Sequence, residues 1–147
     1  MEQHSASLLD IGSNGKPTVI DFWAPWCTNC RVFAPTLYAI ENEYKDRINF
    51  IVVNGDDARN YPLVQLLGVD SIPHVALLDS EGDVETALIG PVSRRVLRAD
   101  LDALLHQRQM GQGMDCGGGN VVGRGGGEAS ATVAEVASQA ATSASTS

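Results

Sequence analysis

The chain has 147 residues, of which 44% are hydrophobic and 5% aromatic, and its formal net charge is −8. This charge argues against a nucleic-acid partner and offers no basic patch for an anionic membrane surface. No apolar run approaches the roughly 18 residues of a membrane span, and residues 1–4 lack the basic start of a signal or transit peptide. From these features we expect a soluble chain.

Hydrophobic periodicity and turn residues divide the sequence into alternating helices and strands. In chain order they are a short helix at 5–10, a strand at 17–24, a helix at 30–45, a strand at 48–54, a helix at 60–68, strands at 75–79 and 84–89, and a helix at 93–106. The strand at 48–54 is nearly continuous in apolar residues, which is typical of a parallel strand covered on both faces. The helix before it completes a right-handed βαβ unit, and the turn at 79–83 predicts a hairpin.

Two of these helices show an apolar face. In the helix at 30–45 the apolar residues recur at helical spacing: Phe33, Leu37, Ile40 and Tyr44. Pro35 lies inside this helix and should kink it, unless the helix begins one turn later. The closing helix is expected to bury Val96, Leu97, Leu101, Leu104 and Leu105.

Two cysteines, Cys27 and Cys30, lie where the strand at 17–24 meets the following helix. The first N–H groups of a helix are unpaired and favour negative charge, so a thiolate is stabilised there. We expect Cys27 to be the accessible nucleophile and Cys30 to face the sheet and attack the mixed disulfide. A zinc site and a purely structural disulfide are the alternatives. Zinc lacks obvious further ligands, because only Cys116, His4, His74 and His106 remain.

An acid and a proline accompany the cysteines. Asp21 lies in the apolar strand six residues before Cys27, and we predict that it accepts the proton of Cys30 through water. A buried carboxylate satisfied by its own partners is the alternative. Pro73 opens the strand at 75–79, and a cis bond before it would bring the backbone of Ile72 beside the cysteines.

Three aromatic side chains near this junction are weaker candidates. Trp26 is expected to form a flat apolar surface that shields the disulfide and receives substrate, with ordinary packing as the alternative. Trp23 is expected in the core. His74 follows Pro73 at the rim of the site, where it would touch substrate or tune the thiolate, or simply be an exposed loop histidine.

The composition changes near residue 109. The segment 109–147 is rich in glycine, alanine and serine and has no aromatic residue, so we predict a domain at 1–108 and a disordered tail at 109–147. The glycines have no phosphate-loop context. Cys116 is interpreted as an incidental exposed thiol or, alternatively, as a second redox residue.

Together these residues resemble the thioredoxin family over residues 18–105. The matching positions are Trp23-Ala24-Pro25-Trp26-Cys27, Cys30-Arg31, Pro35, Ile72-Pro73 and Gly90. The resemblance implies a thioredoxin fold of class α/β, with a four-stranded mixed sheet flanked by helices. Thr28 and Asn29 stand where ordinary thioredoxins carry Gly-Pro.

Further motifs resemble the membrane-anchored thioredoxin-like proteins of thylakoids and cyanobacteria: Gly15-Lys16-Pro17-Thr18, Glu43-Tyr44-Lys45-Asp46 and Ile72-Pro73-His74. This branch implies a chloroplast thylakoid location and a lumen-facing reductant. Its implied partners are apocytochromes, kept reduced during cytochrome b/f assembly, and a membrane thiol carrier.

The sequence therefore predicts a thiol–disulfide oxidoreductase that reduces protein disulfides. Cys27, Cys30 and Asp21 would be catalytic, and Trp26, Ile72, Pro73 and His74 would bind substrate. We expect a monomer that needs no bound cofactor or metal. A disulfide oxidase or isomerase would use the same residues at a higher potential, and a noncatalytic scaffold or chaperone-like binder would use only the surface.

Overall fold

The computed structural model describes residues 6–113 and 132–144. Its strands are β1 (Thr18–Trp23), β2 (Asn49–Asn54), β3 (His74–Leu78) and β4 (Val84–Ile89). Its helices are α1 (Thr28–Tyr44), α2 (Tyr61–Leu66), α3 (Arg94–Gly113) and α4 (Val133–Ala144), with short 3₁₀ turns at Leu8–Asp10 and Ala58–Asn60. Within these ranges no helix is both long and apolar enough to cross a membrane.

The four strands form one sheet in the order β2-β1-β3-β4. β1 and β2 are parallel and are joined through α1, whereas β3 is antiparallel to both β1 and β4. The predicted mixed sheet, βαβ unit and hairpin are thus confirmed. Because β1 and β2 are parallel, the segments that follow them leave the sheet at the same edge, and the two cysteines lie at that edge.

Each face of the sheet has its own apolar cluster, since successive residues of a strand point to opposite faces. On one face, Val19 and its neighbours pack under α1 and α3 through residues that include Phe33, Leu37 and Leu101. On the other face, Ile20, Phe22 and Leu78 belong to a second cluster that includes Leu63 of α2. The sheet is therefore covered on both sides, as the apolar strands require.

The structure confirms one detail of the helix predictions and corrects another. α1 begins at Thr28, so Pro35 lies in its interior as predicted, and the alternative of a helix starting one turn later is wrong. Val96 of α3 is 45% exposed, whereas Leu97 and Leu101 are fully buried. Val96 directly precedes Leu97 and therefore points about 100° away from the buried stripe.

Parts of the predicted C-terminal tail are helical. α3 continues to Gly113, beyond the predicted boundary at 108, and residues 133–144 form α4, so residues 109–113 and 133–144 are helical where composition suggested disorder. α4 packs against α2 and both 3₁₀ turns. Its buried residues are Val133, Val136, Ala137 and Ala140. Cys116 lies outside the described residues.

Candidate active site

The chain turns from sheet to helix within four residues of β1. The backbone N–H of Cys27 donates to the Ala24 carbonyl over 3.1 Å, and Cys27 itself is the N-cap residue of α1. Cys27 and Cys30 form a disulfide whose Cα atoms are 5.3 Å apart. The Sγ atom of Cys27 accepts a hydrogen bond from the Cys30 backbone N–H, at 3.1 Å. The nucleophile candidate thus occupies the position that the first unpaired N–H groups of the helix stabilise.

The predicted difference in access between the two sulfurs is not present in this oxidised state. Cys27 is 5% exposed and Cys30 is 7% exposed. Both cysteines pack together with Ala24, Trp23 and Ile72. What distinguishes Cys27 is its hydrogen bond at the helix terminus. In residues 6–113 and 132–144, no group of three metal-ligating side chains includes either cysteine.

Asp21 is buried in the middle of the sheet. It pairs with Val52 of β2 and Val75 of β3, and it is 6% exposed. Its Oδ1 atom has no hydrogen-bond partner among the described residues. Burial raises the pKa of Asp21 to about 7. Alternation along β1 places Asp21 on the face that α1 covers, on the same side as Trp23.

The loop before β3 lies against the disulfide. The Ile72–Pro73 peptide bond is cis, as predicted, and Ile72 packs against the cysteine cluster. The carbonyl oxygen of Pro73 accepts a hydrogen bond from the Gly90 backbone N–H at 2.8 Å. The end of β4 therefore anchors this loop beside the cysteines.

Trp26 directly precedes Cys27 and is 65% exposed. Its indole N–H donates to Asp56. Beside it a groove of about 380 Å³ is lined by Trp26, Gly55, Asp56, Val64, Val69, Asp70, Ser71 and Ile72. Sequence analysis missed Asp56, Val64 and Val69. The available signal was the parallel pairing of β1 and β2, because residues that follow parallel strands meet at one edge.

His74 does not lie where the sequence suggested. It is 3% exposed, so it is neither an exposed loop residue nor at the rim of the site. Its ring contacts Phe22 edge-on, with ring centroids 5.8 Å apart. Phe22 and His74 are directly paired across β1 and β3, so both point to the face opposite Asp21. Burial lowers the pKa of His74, although the charge of nearby Asp70 partly opposes this.

Comparison with known proteins identifies the family. The thioredoxin family model matches residues 3–103. Over 97 residues the chain is 43% identical to the chloroplastic thioredoxin-like protein HCF164 of Arabidopsis thaliana, covering 66% of this chain and 37% of that protein. Over 98 residues it is 35% identical to the thiol:disulfide interchange protein TxlA of Synechococcus elongatus, covering 67% of this chain and 51% of that protein.

A thioredoxin of Porphyra purpurea is 36% identical over 93 residues, which are 63% of this chain and 84% of that protein. The match to the family model includes β1, the disulfide, the cis-proline loop and the first half of α3. The sequence motifs, the mixed sheet and the disulfide at the start of α1 all agree with this match. The chain belongs to the thioredoxin family.

Proposed function

We propose that this domain is a thiol–disulfide oxidoreductase that reduces protein disulfides. The observation that carries the proposal is the Cys27–Cys30 disulfide at the start of α1, with the Cys27 sulfur as the hydrogen-bond acceptor of the helix cap. A sulfur in this position is a good thiolate and a good leaving group. Both properties are needed for reversible exchange.

The reaction begins from the dithiol. The Cys27 thiolate attacks one sulfur of a client disulfide, which forms a mixed disulfide and releases the other client sulfur as a thiolate. Cys30 then loses its proton and attacks the Cys27 sulfur. This restores the Cys27–Cys30 disulfide and releases the client as a dithiol, so two electrons pass from the domain to the client.

Asp21 is proposed to take the proton from Cys30, through an intervening water. It lies on the sheet face under α1, and its pKa of about 7 suits an acceptor that works near neutral pH. The alternative role, a carboxylate satisfied by its own partners, receives no support, because its Oδ1 atom has no partner among residues 6–113 and 132–144.

Trp26, Ile72 and Pro73 are proposed to hold the client. Trp26 offers an exposed aromatic face, and Ile72, which lines the same groove, packs against the cysteines. A client strand that enters between them would bring its disulfide to Cys27. We assign His74 a supporting role in the sheet instead, because its burial leaves it no surface for a client.

The physiological setting is a finer proposal. Three of the similar proteins have the word chloroplastic in their names, and the resemblance noted above suggests a thylakoid location. On that basis we propose apocytochromes as clients and a membrane thiol carrier as the electron source. We also propose that the domain acts as a monomer.

The decisive measurement is the equilibrium of the Cys27–Cys30 pair with glutathione. A potential near thioredoxin's, about −270 mV, supports a reductant, whereas one near about −120 mV supports an oxidase. Trapping then tests the roles of the cysteines. Cys30→Ser should hold clients covalently through Cys27, because serine cannot resolve the mixed disulfide, and Cys27→Ser should trap none. Equal trapping by both variants would support the scaffold function instead.

A further inference from the structure

The groove beside the disulfide combines an apolar lining with two carboxylates. Val64, Val69 and Ile72 supply apolar surface, and Asp56 and Asp70 add one negative charge each. Among the described residues, the ion pairs with lysine or arginine involve Asp57 and Glu43 but neither Asp56 nor Asp70. The groove therefore offers two acidic groups that the domain itself does not neutralise.

Each of the two carboxylates accepts a hydrogen bond within the domain. The indole N–H of Trp26 donates to Asp56, and the Asp56 backbone N–H donates to the Asn54 side chain at 2.9 Å. Asp70 accepts from the Ser71 hydroxyl at 3.4 Å, just before the loop that covers the cysteines. A positively charged side chain would thus meet one carboxylate that Trp26 orients and a second one just before the loop that packs against the disulfide.

We propose that Asp56 and Asp70 make this groove selective for clients with a lysine or arginine, together with an apolar residue, next to the reacting disulfide. This inference rests on the proposed exchange function and adds the class of substrate. The apolar residue would pack on Val64 and Val69, and the cation would pair with the carboxylates. The net charge of −8 over the whole chain attracts the same clients at longer range.

Charge also argues against the other occupants of such a groove. A second copy of this chain would bring its own Asp56 and Asp70 against the first pair, and like charges at close range are unfavourable.

Arg31 is the cation next to Cys30 in the sequence, and its guanidinium donates to the Pro25 carbonyl. Arg31 thus leaves both carboxylates available to an incoming cation.

The test uses the full chain, reduced in advance, in single-turnover reactions with three short peptides that contain a disulfide. The peptides are identical except for one position beside the reacting cysteine, which is lysine, glutamine or glutamate. We expect the lysine peptide to react about fivefold faster than the glutamate peptide at low salt. This ratio should fall toward one as the salt rises from about 20 mM to about 500 mM.

The variants Asp56→Asn and Asp70→Asn should each lower the lysine-to-glutamate ratio, and the double variant should bring it below about twofold. Asparagine keeps an oxygen that can accept the Trp26 hydrogen bond at position 56. The matched control is Asp46→Asn, which removes the same charge from an exposed residue just past the far end of α1. Asp46→Asn should keep the native ratio.

Four results would overturn the inference. Equal rates for the three peptides would leave the exchange function standing but remove the selectivity. An equal loss of the ratio in Asp46→Asn would assign the preference to net charge rather than to the groove. A rate per domain that falls as the protein concentration rises would indicate a second copy in the groove. If no peptide reacts, the exchange function fails, and the selectivity fails with it.

Discussion

At the scale of single residues, Asp21 and His74 have opposite effects on stability as the pH changes. They lie in neighbouring strands but on opposite faces of the sheet, and both are almost completely buried. Burial favours the uncharged form of each group. It raises the pKa of Asp21 and lowers that of His74. The native state therefore resists deprotonation at one residue and protonation at the other.

We expect Asp21→Asn to stabilise the domain more at pH 8 than at pH 4. The native pKa of about 7 exceeds the ordinary 3.8, so the unfolded state loses this proton first and stability falls as the pH rises between those values. Roughly three pH units at ~1.4 kcal/mol each set an upper limit of about 4 kcal/mol, and we expect about 2–4 kcal/mol at pH 8. Urea unfolding of the native protein and the variant at both pH values measures this stabilisation.

The same variant should exchange disulfides more slowly, since it cannot accept the Cys30 proton. A stabilisation that does not change with pH would show that burial does not raise the pKa of Asp21. An unchanged exchange rate between about pH 6 and pH 9 would remove its proposed role as a proton acceptor.

His74→Leu should have the reverse pH dependence. Below the ordinary pKa, near 6.5, the unfolded histidine takes up a proton that the buried ring resists, so the native protein loses stability as the pH falls. Neither ring nitrogen has a partner in the described part of the chain, and leucine avoids that cost. As the pH falls from 7.5 to 5, the stability of the variant, measured by urea unfolding, should therefore increase relative to that of the native protein. A difference that is constant with pH would contradict this.

The sequence was sufficient to find the residues whose chemistry is local. Two cysteines at a strand-to-helix junction and an acid in an apolar strand stand out from composition and spacing alone. His74 could not be placed in this way, because its burial depends on pairing with Phe22, which is 52 positions earlier in the chain. Asp70 was visible only as part of a loop, since its place in the groove requires β2 and α2 to come together.

At the scale of elements, the far end of α1 is attached to α3 by polar side chains. The Tyr44 hydroxyl donates to Asp102 Oδ1 at 2.6 Å. Glu43 accepts from Arg98 and also from Arg94. α1 has 17 residues, about 25 Å at ~1.5 Å per residue, so these contacts are far from the cysteines. They stabilise the position of the helix that carries the disulfide.

Tyr44→Phe should lower the free energy of unfolding by about 1 kcal/mol, because it removes one hydrogen bond and keeps the ring. The redox potential should stay unchanged, given the distance from the disulfide. Tyr38→Phe is the matched control, since Tyr38 is in the same helix but 57% exposed, and it should have almost no effect. Urea unfolding compares the two. Equal losses would mean that the bond to Asp102 contributes nothing.

Element boundaries followed from the sequence to within a few residues wherever an apolar pattern was strong. The strands and α1 agree with their predicted ranges because each has a continuous or periodic apolar pattern. Val96 was misplaced because leucine and valine are equally apolar in the sequence. Only the packing of α3 against the sheet distinguishes Val96 from Leu97.

At the scale of the whole molecule, α4 closes the second face of the sheet. Its buried residues, Val133, Val136, Ala137 and Ala140, have the spacing of one helical face. The first three of them join the cluster of Ile20 and Phe22. Thr132 and Glu135 form a capping box, in which Glu135 accepts from the Thr132 N–H at 2.8 Å. We therefore propose that the structural unit includes residues 6–113 and 132–144, beyond the predicted domain at 1–108.

The sequence analysis did not predict α4, because it relied on the amino-acid composition of the C-terminal segment and not on its helical pattern. Glycine and serine around it suggested a chain that could not offset its ordering entropy. The sequence nevertheless contains a helix-start signal, namely a threonine three residues before a glutamate, followed by apolar residues at helical spacing. The surface on which α4 packs could not be predicted from the sequence, since it is formed by the Leu8–Asp10 turn and α2, which are distant from each other in the chain.

Ala137→Asp should lower the free energy of unfolding by roughly 1–3 kcal/mol, because Ala137 is fully buried and a charge there displaces α4 from the sheet. Gln139→Asp adds the same charge at an exposed position of the helix and should cost less than about 0.5 kcal/mol. Urea unfolding and limited proteolysis of 132–144 compare the variants. Equal stability of the two would mean that α4 does not pack on the domain.

The position of α4 in the chain has a consequence during translation. About 20 residues separate the end of α3 from the start of α4, so a ribosome needs roughly 1–4 s to pass from one to the other. During that interval the nascent domain already holds its disulfide-forming cysteines, while part of one sheet face is bare. Translation of an mRNA truncated between the two helices would yield a protein with exposed valine, isoleucine and phenylalanine side chains on that face. Such a protein would aggregate with other nascent chains and be recognised by quality-control factors.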